Sequence, residues 1–163
     1  VMSNMGLRVA CRKYGFQHHA SKVGDRYVLE DMQRLGSVLG GEDSGHMIFL
    51  DHHTTGDGIL TALQLLSAMI RAGKPLSELA AQMDVYPQKL INVDVSRKPD
   101  LATVPEVAEA IRQVESQLQD EGRVLVRYSG TQNMCRVMVE GPSVELTERY
   151  CTLIADELRK ALG

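Results

Sequence analysis

Two short runs rich in apolar residues, 123–127 and 135–140, flank the polar turn Ser129-Gly130-Thr131-Gln132-Asn133. Strand, glycine-containing turn and returning strand read as a β-hairpin, so the second half of the chain must be built around antiparallel pairing. The same hairpin gathers chemistry at its closed end. Arg127 enters the turn and Arg136 leaves it, and each guanidinium can offer paired N–H donors to phosphate oxygens. The Ser129 and Thr131 hydroxyls and the backbone N–H groups around Gly130 can complete such a shell. Spacing alone leaves a plainer reading open, a surface hairpin with solvated arginines.

The flanking segments extend this unit. Ile91, Val93 and Val95 alternate as on a half-buried strand. Thr103-Val104-Pro105-Glu106 predicts a capping box with proline at the first helical position, and Val107, Ile111, Val114 and Leu118 continue one helical face towards Gly122. Ser143 is placed to cap a last helix that buries Leu146, Tyr150, Leu153 and Leu158. The order β-α-β-β-α predicts a small α+β domain over residues 84–163.

Residues 1–83 read as part of an α/β domain. A helical pattern runs to about Tyr14 and stops at Gly15; a short strand is predicted over 16–20, and a helix over 26–35 with Val28, Met32 and Leu35 on one face. Strands over 37–39 and 46–50 bracket Gly40-Gly41-Glu42-Asp43-Ser44-Gly45. After Thr54-Thr55-Gly56-Asp57, the residues Ile59, Leu63, Leu66 and Ile70 predict a long helix with a buried stripe. A short helix over 76–83 follows, and the helical period is lost at Asp84-Val85-Tyr86-Pro87, where the domain boundary is placed. The first helix lacks a preceding strand, so the chain reads as entered partway through a domain.

Charge narrows the partners. With 18 Lys+Arg against 21 Asp+Glu, no broad basic field exists for nucleic acid, and anion binding must come from a few placed groups. Cys11, Cys135 and Cys151 are odd in number and far apart, which argues for a reducing compartment and against a disulfide scaffold or zinc ribbon; all three are expected as small core residues. No apolar run reaches the ~18 residues of a membrane span, so a soluble, cytoplasmic protein is expected. Met32, Met69 and Met138 fall on apolar stripes and read as core filling. The pairs His18-His19 and His52-His53 do not predict a metal site, because neighbours on a strand point to opposite faces.

In the glycine-rich loop Glu42 can accept hydrogen bonds from two vicinal sugar hydroxyls, with Ser44 beside it; a turn with a solvated Glu42 is the alternative. Arg26 follows Gly24-Asp25 at a predicted helix N-terminus, which favours an anion. An Asp25 N-cap beside a solvated Arg26 explains that segment equally well.

Taken together, Lys22-Val23-Gly24-Asp25-Arg26-Tyr27-Val28, Gly40-Gly41-Glu42-Asp43-Ser44-Gly45-His46, Thr54-Thr55-Gly56-Asp57-Gly58 and Arg127-Tyr128-Ser129-Gly130-Thr131 closely resemble the phosphohexomutase superfamily, and within it the bacterial phosphoglucosamine mutases. The resemblance covers essentially the whole chain. It implies most of that family's third domain, a partial three-layer α/β domain, followed by all of its fourth, a β-α-β-β-α domain. It also implies an enzyme that interconverts glucosamine 6-phosphate and glucosamine 1-phosphate through a bisphosphorylated sugar, towards UDP-N-acetylglucosamine and cell-wall precursors. In such an enzyme a phosphoserine in the first domain donates the phosphoryl group, and Mg2+ sits on a carboxylate loop in the second.

Neither the Ser-His-Asn serine loop nor the Asp-Gly-Asp metal loop occurs here. The resemblance therefore implies a recognition fragment with no catalytic or metal-binding residue of its own, inactive without the missing N-terminal domains and compatible with a homodimer. Arg127, Ser129, Gly130, Thr131 and Arg136 would clamp the substrate phosphate that is not reacting, Glu42 and Ser44 would hold sugar hydroxyls, and Arg26 and His46 would assist. Where the family loop usually reads Arg-Pro-Ser-Gly-Thr-Glu-Pro or a tyrosine variant, Gln132 and Asn133 replace the glutamate and proline. A sister mutase acting on mannose or glucose phosphates and a non-catalytic sugar-phosphate binding module are the alternatives.

Overall fold

Local chain chemistry sets the ends of the first elements in the computed structural model, which describes every residue from Val1 to Gly163. Asn4 caps helix α1 (Met5–Lys13) by accepting from the Gly6 N–H. Helix α2 (Asp25–Leu35) ends at Gly36, whose φ of 68° is the left-handed conformation that glycine adopts without a Cβ penalty. Strands β1 (Leu39–Gly41) and β2 (Met47–Phe49) pair antiparallel, with Gly40 opposite Ile48. Asp57 caps α3 (Gly58–Ala72), accepting from the Ile59 and Leu60 N–H groups, and α4 (Leu76–Ala80) follows. These elements form one compact unit, Val1–Asp84; Val85–Gly163 form a second.

The first unit has a small core of Val28, Met32 and Ile48, flanked by Leu29 and Leu50. Gly40 makes it possible: a Cβ there would lie 2.3 Å from the Met32 sulfur and 2.8 Å from a Val28 methyl, so only glycine lets α2 settle on β1. Four expectations are corrected here. Residues 16–20 form no strand, because no neighbouring strand pairs their backbone, and Phe16 lies exposed. The α3 stripe is a helical face but not a buried one: Ile59, Leu63, Leu66 and Ile70 are 77%, 60%, 52% and 80% exposed. Leu35, at the last turn of α2, is exposed as well. Cys11 is half-buried and free, outside the core.

The second unit contains β3 (Gln88–Asp94), α5 (Pro105–Leu118), β4 (Arg123–Tyr128), β5 (Met134–Glu140) and α6 (Val144–Leu162). Its antiparallel sheet runs β3-β5-β4. From the central strand Cys135, Val137 and Val139 turn into a core with Val107, Val114 and Leu118 of α5 and Ile154 and Leu158 of α6. Each large aliphatic side chain so buried contributes about 2 kcal/mol against its exposed state. Ser143 caps α6 as expected, accepting from the Leu146 N–H at 3.3 Å. The capping box at α5 does not form. Thr103 lies in a 3₁₀ turn and its hydroxyl donates to the Asp100 carbonyl at 2.7 Å, leaving Val104 as N-cap and Pro105 at the first helical position.

Candidate functional site: an unpaired arginine row and a glycine-rich pocket

Directly opposed residues of an antiparallel pair project to the same face. Arg127 on β4 stands opposite Arg136 on β5, and Arg136 stands opposite Asn92 on β3. Because Cys135 and Val137 face the helical side, this polar row lies on the other face of the sheet. Like charges directly opposed are unfavourable, yet every ion pair of the chain is made by other residues. The Nε of Arg136 is buried without an acceptor. A buried donor left unmatched costs about 1–3 kcal/mol, so the row is suited to an anionic acceptor.

The turn above the row is shaped by three internal hydrogen bonds. Ser129 N–H donates to the Met134 carbonyl at 2.9 Å, Gln132 N–H to Ser129 Oγ at 3.3 Å, and Met134 N–H to the Gln132 carbonyl at 2.9 Å. Ser129 is buried, whereas Gly130 and Thr131 are exposed and their N–H groups have no acceptor within the chain. Lys98, from the segment after β3, donates from Nζ to the carbonyls of Ser129 and Gln132, both at 2.8 Å. Burial raises the Tyr128 hydroxyl above its ordinary range and the nearby Arg97 charge opposes this; that hydroxyl has no partner. Lys98, Arg97 and Asn92 were not singled out in the sequence. Only strand register and loop placement bring them here, and neither leaves a local signal.

The glycine-rich loop of the first unit is closed by Glu42 N–H donating to the His46 carbonyl at 2.9 Å and by Gly45 N–H donating to the Glu42 carbonyl at 3.0 Å, with Gly45 at φ 86°. Glu42 is not merely solvated: its Oε1 accepts from the Gly24 N–H at 2.8 Å, at the N-terminus of α2, where the helix dipole favours a carboxylate. His46 Nε2 lies 3.7 Å from the Asp25 carboxylate and is buried without a hydrogen bond. A Cβ on Gly56 would fall 2.3 Å from that nitrogen, so the Thr-Thr-Gly-Asp-Gly segment uses glycine to admit the imidazole ring. Ser44, Gly45, His46, Gly56, Asp57 and Thr61 help line a pocket of about 320 Å³. Arg26 is exposed and its Nε donates to Glu30 at 2.9 Å. Thus Glu42, Ser44, His46 and the start of α2 come together in one unit, and Arg127, Ser129, Gly130, Thr131 and Arg136 come together in the other. No three His, Cys, Asp or Glu side chains converge as a metal site requires, and these residues do not fit a magnesium site.

The family model described as phosphoglucomutase/phosphomannomutase, alpha/beta/alpha domain III, matches residues 1–86. The chain belongs to the phosphoglucomutase/phosphomannomutase family. The family's C-terminal domain model matches residues 90–157. Among curated relatives, the phosphoglucosamine mutase of Syntrophobacter fumaroxidans is 74% identical over 163 residues, and that of Syntrophus aciditrophicus 62%. In both, the match covers 100% of this chain and 36% of the relative's own length. The crystal structure of an Aspergillus fumigatus N-acetylphosphoglucosamine mutase variant in complex with glucose 1,6-bisphosphate matches with a TM-score of 0.79 at 20% identity, covering 99% of this chain and 37% of that one. The same fungal mutase in complex with GlcNAc-6P and magnesium gives 0.76 at 18% identity, over 94% and 39% of the two chains. At that identity the likeness establishes a shared fold.

Proposed function

We propose that this chain supplies sugar and phosphate recognition to a phosphoglucosamine mutase, an isomerase that interconverts glucosamine 6-phosphate and glucosamine 1-phosphate through a bisphosphorylated sugar. The observation that carries the reading is the opposed, carboxylate-free pair Arg127 and Arg136 beneath a turn whose Gly130 and Thr131 N–H groups are open. Arg127, Ser129, Gly130, Thr131 and Arg136 bind the phosphate that is not being transferred. Glu42 and Ser44 hold sugar hydroxyls, with Arg26 and His46 in support. We place the sugar-binding domain at 1–83 and the phosphate-binding domain at 84–163.

The intermediate must present each of its two phosphates in turn. A firm grip on one dianion with a looser grip on hydroxyls permits that turnover and holds the reacting phosphoryl in line, which is most of what such a transfer requires. In this reading the phosphoserine and the magnesium ion would be held by residues of other domains of the mutase, where the metal would supply charge neutralisation. The 62–74% identity of the bacterial relatives supports the glucosamine sugar. No helix is long and apolar enough to cross a membrane and all three cysteines are free, in keeping with a cytoplasmic enzyme. The test is turnover of glucosamine, glucose and mannose 6-phosphates by the longer mutase. Preference for glucosamine 6-phosphate is expected; equal or faster turnover of the other two would reassign the chain to a sister mutase.

A further inference from the structure

We infer that Lys98 is a positioning residue that holds the 129–133 turn in its anion-receiving shape; the inference rests on the phosphate reading above. The turn contains serine, glycine, threonine, glutamine and asparagine and no proline, so its backbone is costly to order, Gly130 most of all. One of its three internal hydrogen bonds is long, at 3.3 Å. Lys98 spans the crest by donating to two carbonyls three residues apart, Ser129 and Gln132, each at 2.8 Å. In a planar trans peptide the C=O and the following N–H point in opposite directions. Holding the Ser129 carbonyl towards Lys98 therefore turns the Gly130 N–H away from it, and the Gln132 carbonyl does the same for the Asn133 N–H. Neither N–H has an acceptor in the chain.

The post that carries Lys98 is itself anchored. Ser96 donates to the Leu162 carbonyl through both its N–H, at 2.7 Å, and its hydroxyl, at 2.9 Å, and Val95 N–H donates to the Asn133 carbonyl at 3.0 Å. Lys98 thus ties the turn to the end of α6 and cuts the ordering cost that an incoming anion would otherwise meet.

The experiment compares the 163-residue chain with Lys98→Met, Lys98→Arg and Arg127→Ala, reading inorganic phosphate affinity, amide order parameters over 130–133 and Tm. Lys98→Met removes both hydrogen bonds to the turn and is expected to weaken phosphate binding about tenfold, because the anion must then order the loosened turn itself, and to lower the turn's order parameters at unchanged Tm. Lys98→Arg should retain affinity to within about threefold, since it keeps charge and donors. Wild-type affinity in Lys98→Met overturns the proposal; so does weakened affinity with the turn as ordered as before, which would leave Lys98 only a distant charge. Absence of saturable binding in the unmodified chain removes the phosphate reading and the role of Lys98 in it, an outcome distinguishable from an idle Lys98.

Discussion

Arg123 and Arg127 lie on the same face of one strand and do different work. Arg123 donates from Nε to Glu140 at 2.6 Å, and that carboxylate is fully buried. Arg127 faces another arginine. Arg123→Ala is expected to cost about 3 kcal/mol, because a buried carboxylate loses its countercharge; urea unfolding measures it. Arg127→Ala should leave unfolding within about 0.5 kcal/mol, since only like-charge crowding is removed. Burial pushes the Cys135 and Cys151 thiols up from 9.0 to about 11. A pKa raised by folding stabilises the native state fully below the unfolded value, and the contribution is lost as pH climbs through the folded one. Stability of the second unit should therefore fall between pH 9 and about 11, as pH-dependent unfolding would show. A thiol reagent at about pH 8 should label half-buried Cys11 and spare the two buried cysteines.

At the scale of elements, period and caps were legible where the cause was local. The 127–136 hairpin, the Ser143 cap, Pro105 at the first turn of α5 and the Gly36 stop all follow from residues within a few positions of one another. The failures share a cause. Thr103 has the capping-box spacing but spends its hydroxyl on Asp100, and α3 has the helical period of a buried stripe while no element of its unit covers it. Periodicity specifies a face, and burial needs a partner the local sequence does not name. Ile70→Ala should then change stability of the chain by less than about 0.5 kcal/mol, whereas Ile154→Ala, in the α5–α6 core, should cost roughly 2–5 kcal/mol. Denaturant midpoints of the two variants separate the cases.

At the scale of the whole molecule, the two units differ in how much apolar surface they bury. The first rests on Val28, Met32 and Ile48, the second on a contiguous core drawn from three strands and two helices. Amide hydrogen exchange should accordingly be slowest along β5 and α6 and faster throughout Val1–Asp84. The two loops proposed for recognition stand out in the sequence because glycines, hydroxyls and arginines are spaced along single segments. Lys98 and Asn92 were not, since they arrive from other segments. Titrating the isotope-labelled chain with glucosamine 6-phosphate, while following backbone amides and arginine Nε signals, tests the central claim most directly. Saturable shifts at Gly130, Thr131, Arg127 and Arg136 that disappear in Arg127→Ala are predicted. Shifts absent from those positions, or unchanged in the variant, would contradict it.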